Sequence, residues 1–188
     1  MRLFLAINLE PPVREAVHAA AEPLRAAAPE LAWVDPPRLH LTLKFLGEQP
    51  PDAVGRLTPG LDGLAAGVGA FDTVLGEFGA FPNFRRPHVV WIGMDAEPRL
   101  ELLHHDVELF CDAAGFPLDG RPFRPHVTLA RVKHALDREA LRGLARAARR
   151  AGRGRIPAAV RTIDLMRSTP RPEGAAYELL HSSPLGVH

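Results

Sequence analysis

Arg38-Leu39-His40-Leu41-Thr42-Leu43-Lys44-Phe45-Leu46-Gly47 and Arg124-Pro125-His126-Val127-Thr128-Leu129-Ala130-Arg131 are two copies of one pattern, 86 residues apart. Each follows a proline-rich approach, Pro36-Pro37 before the first and Pro122 with Pro125 before the second. Both are apolar, β-branched runs of strand length, so both are predicted strands. Side chains alternate faces along a strand. His40 and Thr42 therefore share one face, as do His126 and Thr128. Leu41, Leu43 and Phe45 fall on the other face of the first strand, Val127 and Leu129 on the other face of the second. Strict alternation also sets Lys44 beside His40 and Thr42, and sets Arg131 opposite His126. One face of each strand anchors it in a core while the other presents an imidazole and a hydroxyl.

Around these strands the chain reads as α+β. Leu3–Asn8 is a predicted strand, followed by a helix over Val13–Ala28 that Pro29 ends. Leu31–Val34 is a short strand. The first His strand closes at Gly47, and a helix from Pro50-Pro51-Asp52 runs to about Ala66, interrupted by Gly60 and Gly63. Phe71–Phe78 is a weak strand, 79–87 a loop with two aromatics and two arginines, and His88–Met94 a strongly β-prone run. Arg99–Ala114 and Asp137–Arg150 are helices, the latter with Asp137 as its N-cap. Ala158–Met166 and Ala175–His181 are strands joined by a turn at Pro170, Pro172 and Gly174. The duplicated unit suggests a single compact domain over 1–188 made of two similar lobes, each giving one His-x-Thr strand. Short turns between successive strands favour mostly antiparallel sheets.

The composition excludes several classes. The 188 residues are 46% hydrophobic and 24% charged, with net charge +1, so no global field draws in a polyanion. Cys111 is the only cysteine, which rules out an intrachain disulfide framework. The apolar opening at Leu3–Ile7 is too short for a signal peptide, and no stretch has the length of a membrane span. A cytoplasmic, membrane-free protein is the expectation, without an obligate protein partner and monomeric.

Histidine titrates near neutrality. Two of them on one cleft can act as a pair, one taking a proton from a nucleophile while the other gives one to a leaving group. A phosphodiester suits this chemistry, because attacking and leaving groups lie on opposite sides of phosphorus. Hydroxyls of Thr42 and Thr128, on the same faces, can donate to the non-bridging oxygens. No metal or cofactor is required, and activity should survive EDTA. Against this stands the plain reading of any single His-x-Thr as a strand with one polar face; it is the duplication that favours chemistry. His88 has Val90 where a threonine would stand and is read as structural. His104-His105 lies on a predicted helix, with Glu101 and Asp106 too few to make a metal site persuasive. His181 and His188 carry no paired pattern.

The paired His-x-Thr motifs, the first followed by Phe45-Leu46-Gly47, resemble those of the two-histidine phosphoesterases. The resemblance is closest to the RNA 2′,3′-cyclic phosphodiesterases long called 2′-5′ RNA ligases. Arg2–Ile7, Val89–Gly93, Arg121–Arg131 and Ile163–Ser168 with Gly174 and Tyr177 resemble further parts of that family, so the likeness covers nearly the whole chain. It implies a bilobal fold of two mostly antiparallel sheets with flanking helices and pseudo-two-fold symmetry about a central cleft. The implied activity is metal-independent hydrolysis of an RNA-terminal 2′,3′-cyclic phosphate to a 2′-phosphomonoester. By the same resemblance His40 is the proton donor to O3′, His126 activates water, and Arg131 contacts phosphate, as a guanidinium fork suits an anion. Arg131 then needs a strand end or a bulge to reach the face of His126. Phe84 could stack on an unpaired base or simply anchor its loop.

Other substrates keep the same site: a 2′-5′-linked oligonucleotide or an ADP-ribose-type cyclic phosphate. A non-catalytic module that binds RNA ends is the alternative from another class. The arginine run Arg142, Arg146, Arg149, Arg150, Arg153 and Arg155 reads as a solvated helix face or as a patch guiding RNA backbone.

Overall fold

A computed structural model describes residues 1–171 and 174–186. The elements are β1 (Arg2–Asn8), α1 (Pro11–Ala20), α2 (Glu22–Ala27), β2 (Ala32–Trp33), β3 (His40–Glu48), α3 (Ala53–Ala66), β4 (Phe71–Phe81), β5 (Val89–Met94), α4 (Pro98–Ala113), β6 (His126–Arg131), α5 (Arg138–Ala151), β7 (Ile156–Val160), β8 (Thr162–Thr169) and β9 (Ala176–Pro184). The expected α+β class holds, with helices against an antiparallel sheet.

Among the described residues the strands form one sheet in the order β7-β4-β5-β6-β3-β1-β8-β9, with β2 pairing against β6. The two expected sheets are thus the halves of a continuous one. They join at β3 and β6, where Leu41 pairs with Val127. Outward from that seam the order is β3-β1-β8-β9 on one side and β6-β5-β4-β7 on the other. In each half a strand–helix–strand unit sets the His strand next to its partner: β1 and β3 flank α1 and α2, while β5 and β6 flank α4. Arg161 alone separates β7 from β8, although these lie far apart in the strand order. So short a link requires the sheet to curl into a half-barrel.

Several boundaries differ from expectation. The helix expected over Val13–Ala28 breaks at Ala21, because Pro23 has no N–H to continue α1 and fits the first turn of α2. Helix α3 runs through Gly60 and Gly63 without interruption. Gly60 is needed for helix packing: a Cβ there would stand 2.4 Å from Cε2 of Phe110 on α4. The strand expected over Ala158–Met166 is two strands that leave Arg161 for opposite parts of the sheet. Pro157 fits β7 because that strand is an edge. Strand β4 extends past Phe78 to Phe81 and pairs its last residue with Val89. Asp137 caps α5 as expected, its Oδ1 accepting from the Ala140 N–H at 2.8 Å. In the β8–β9 turn Gly174 has φ +128°, the region glycine favours; Pro172 lies outside the described residues, as does His188.

The core lies on one face of the sheet, against the helices. Leu41, Leu43, Val127 and Leu129 point into it with Leu3, Leu5, Ile92, Leu100 and Leu103. A smaller cluster of Phe4, Ala6 and Met166, with Tyr177 against it, lies on the other face beside His40.

Candidate active site

Both His strands carry the same irregularity. In the first copy Leu5 pairs with Lys44 and Ala6 with Thr42, which leaves Leu43 as an extra residue. In the second Val90 pairs with Ala130 and Trp91 with Thr128, which leaves Leu129 extra. A β-bulge of this kind resets the alternation that follows it. Leu43 and Lys44 are consecutive buried residues, and so are Leu129 and Ala130. The residues after them return to the face of the histidines: Phe45, 66% exposed, in one copy and exposed Arg131 in the other. The bulge supplies the route to the histidine face that Arg131 needed. It also corrects two expectations from strict alternation. Phe45 is turned to the histidine side, its ring 6.1 Å from Phe4, which is itself 5.1 Å from His40. Lys44 is turned into the core, where Nζ meets Glu108 Oε2 at 2.8 Å and donates to the Pro117 carbonyl at 2.7 Å.

The histidines stand on either side of the seam. With Leu41 opposite Val127, the next residues along the antiparallel register put His40 alongside Thr128 and Thr42 alongside His126. The imidazoles are then diagonal neighbours, whose backbones lie about 7–8 Å apart in such a pair.

Each imidazole is held alike. His40 Nδ1 lies 2.8 Å from the Arg38 carbonyl oxygen, and His126 Nδ1 lies 2.6 Å from that of Arg124. A carbonyl only accepts, so Nδ1 carries the proton in both and Nε2 is left free. Aromatic rings brace the other sides. Tyr177 sits edge-on to His40 with centroids 4.9 Å apart, and Phe81 sits edge-on to His126 at 4.9 Å. Trp91 completes the second brace at 6.2 Å. Gly79 makes room for it: a Cβ there would lie 2.1 Å from the indole. Behind His40, Asp164 accepts from Asn8 Nδ2 at 2.7 Å and from Ser182 Oγ at 2.5 Å, tying β1, β8 and β9 together.

Both imidazoles are held below the ordinary 6.5. Burial is the main cause, because it penalises the charged ring. The carbonyl contacts work the other way. Guanidinium charge adds to the lowering, from Arg14 and Arg131 on His40 and from Arg131 on His126. Arg131 therefore acts on both rings. Arg14 sits on α1, where Nη1 donates to the Pro37 carbonyl at 2.8 Å and the buried Nε has no partner among the described residues.

Of the residues singled out in the sequence, His40, Thr42, His126, Thr128 and Arg131 share this face. Phe84 does not join them; it is half-buried and packs against the core, which favours the loop-anchoring reading. The sequence reading missed Arg14 and the rings of Phe4, Phe81 and Trp91. Nothing in the sequence set Arg14 apart from Glu15, Glu22 and Arg25 in the same Ala-rich stretch. His104 stacks on Phe123 at 3.8 Å and lies 3.8 Å from Glu108. Among the described residues no three His, Cys, Asp or Glu side chains group as a metal site, and no helix is long and apolar enough to cross a membrane.

Comparison with known proteins agrees with this geometry. The family model of the 2′-5′ RNA ligase superfamily matches residues 10–170. A Thermus thermophilus protein named RNA 2′,3′-cyclic phosphodiesterase is 33% identical, with 100% of this chain aligned to 92% of that one. A Geobacillus stearothermophilus protein of the same name is 33% identical over 94% of this chain, which spans only 57% of that relative's length. Among solved structures, one from Thermus thermophilus superposes with a TM-score of 0.79 at 30% identity, covering 100% of both chains. E. coli LigT complexed with 3′-AMP superposes with a TM-score of 0.71 at 28% identity, covering 98% of this chain and 97% of that one. The chain belongs to the 2′-5′ RNA ligase superfamily.

Proposed function

We propose that this protein hydrolyses RNA-terminal 2′,3′-cyclic phosphates to 2′-phosphomonoesters, with His40 and His126 as its acid and base. The observation that carries the reading is the matched pair of imidazoles diagonal across the Leu41–Val127 seam, each with Nδ1 spent on a carbonyl and Nε2 free. The relatives named RNA 2′,3′-cyclic phosphodiesterase support the substrate.

In this mechanism the cyclic phosphate lies between the rings, its non-bridging oxygens receiving hydrogen bonds from Thr42 and Thr128 and the charge of Arg131. His126 Nε2 takes a proton from water as the water oxygen bonds to phosphorus. The P–O3′ bond breaks, and His40 Nε2–H delivers its proton to O3′. The products are a 2′-phosphate and a free 3′-hydroxyl. The free enzyme disfavours the imidazolium, so the bound phosphate anion is what stabilises the proton on His40 against burial and the charges of Arg14 and Arg131. Phe45, exposed beside Phe4 and His40, offers a stacking face for the terminal base. The chain acts as one compact monomer of two lobes, each lending a histidine.

The test is phosphorus NMR of a short RNA ending in a 2′,3′-cyclic phosphate after incubation with the protein. The expected product is the 2′-monophosphate. A persistent cyclic phosphate, or a 3′-monophosphate, contradicts the reading.

A further inference from the structure

The two segments that build the second half of the site have an unusual charge. Residues 78–94 and 120–136 contain Arg85, Arg86, Arg121, Arg124, Arg131 and Lys133 and no Asp or Glu, in a chain whose net charge is +1. Strands β5 and β6 bring these segments side by side. Where they end, a pocket of about 400 Å³ opens, lined by Arg85, Arg86, His88, Lys133 and His134 over Pro87, Val132, Leu136 and Leu141.

The pocket adjoins the second His strand in sequence, since Val132 and Lys133 directly follow Arg131. Asn83 Oδ1 accepts from the backbone N–H groups of Arg85 and Arg86 at 2.9 and 3.3 Å, which fixes the turn that carries both arginines. The His88 N–H donates to the Phe81 carbonyl at 2.7 Å, and the Val132 N–H to the His88 carbonyl at 3.0 Å. These bonds fasten both rims to Phe81, the residue whose ring braces His126. Among the described residues Arg85, Arg86 and Lys133 have no carboxylate partner, whereas Arg121 is paired with Asp119. The acid nearest Lys133 in sequence, Asp137, serves as the cap of α5.

We propose that this pocket binds the backbone of the RNA strand upstream of the cyclic phosphate, so that the protein favours oligonucleotides over mononucleotides. It deepens the function proposed above and relies on it for the chemistry at the strand end. Arg131 marks the step from the reacting phosphate to those upstream, and Arg85, Arg86 and Lys133 hold the latter. The apolar floor suits base or ribose, a mix of charge and apolar surface that single-stranded nucleic acid uses.

The test compares wild type, the double variant Arg86→Glu/Lys133→Glu, and a control Arg149→Glu/Arg150→Glu with the same charge change on α5. Each is assayed on a cyclic mononucleotide and on a short RNA ending in a cyclic phosphate, over a series of salt concentrations. The pocket variant should raise KM for the RNA about tenfold and flatten its salt dependence by about one unit of slope per lost contact, with kcat kept. Its kcat/KM on the mononucleotide should match wild type. The control should leave the RNA-to-mononucleotide ratio unchanged. Equal ratios in wild type and the pocket variant, or an equal change in the control, overturn the proposal. If no variant, wild type included, turns over either substrate, the proposed function fails instead. Fluorescence anisotropy with a 3′-phosphorylated RNA then decides the pocket alone, and equal affinity of wild type and pocket variant rejects it.

Discussion

Leu41 and Val127 face each other across the seam of the sheet, and the residue just before each of them is a histidine. The seam holds the two imidazoles at a fixed offset, one strand across and two residues along. Neither strand can slide past the other without disturbing a core pair whose members are both fully buried.

Replacement of either ring should show in rate and not in folding. His40→Ala and His126→Ala should each lower kcat/KM by about 10²–10⁴-fold, the range of positioned acid–base groups. Both rings are only half-buried, so far-ultraviolet circular dichroism and Tm should stay close to wild type. Wild-type activity should persist in EDTA. Ordinary turnover in either variant contradicts the paired roles.

Thr42→Ala and Thr128→Ala should cost less, since each removes one hydrogen bond to a charged group. At about 1.5–3 kcal/mol apiece this is a loss of about 10–100-fold in kcat/KM, measured at saturating and limiting substrate. Losses as large as those of the histidine variants would assign the hydroxyls a different role.

The depressed imidazoles give stability a definite pH dependence. For His40, His126 and His104 the folded form binds protons more weakly than the unfolded chain, in each case chiefly through burial. Their contribution is complete above about pH 6.5 and is lost as pH falls through the lower folded values. Tm should therefore drop between pH 7.5 and 5, and His→Gln at position 104 should reduce the drop. The rate follows the same logic: kcat/KM, which reports the free enzyme, should peak at lower pH than kcat, because bound phosphate favours the protonated ring.

Lys44 and Glu108 form a buried pair that also holds the loop leading into β6, with Glu108 Oε2 accepting from the Asp119 N–H at 2.8 Å. Lys44→Met leaves the carboxylate buried without its partner and should cost about 3–5 kcal/mol, read as chemical denaturation. Lys44→Met with Glu108→Leu should recover most of that loss. A single variant as stable as wild type would contradict the pairing.

Phe45→Ala should raise KM about tenfold for substrates carrying a base, within the range of base–aromatic stacking, while Tm barely moves for a ring this exposed. Unchanged KM would place the base elsewhere.

Much of this site was legible in the sequence, and the remainder had a physical reason to be hidden. His40, Thr42, His126 and Thr128 could be assigned to one face because two-residue periodicity is local. The position of Arg131 could not, because the bulge at Leu129 is imposed by pairing with Val90 and Trp91 on β5. The bulge at Leu43, imposed by Leu5 and Ala6, misplaced Lys44 and Phe45 in the same way. The break at Arg161 was invisible for a similar reason. Val160 and Thr162 find partners in Phe71 and Pro184, and local β-propensity does not register so distant a choice. Asp137 was legible because a cap is local.

The central claim is that two imidazoles serve one phosphorus atom, one of them protonating the departing O3′. The most direct measurement is single-turnover hydrolysis of a 2′,3′-cyclic substrate whose bridging O3′ is replaced by sulfur, a leaving group that needs no proton. The prediction is that this substrate restores most of the rate lost in His40→Ala and none of that lost in His126→Ala. Restoration of both variants, or of neither, would contradict it.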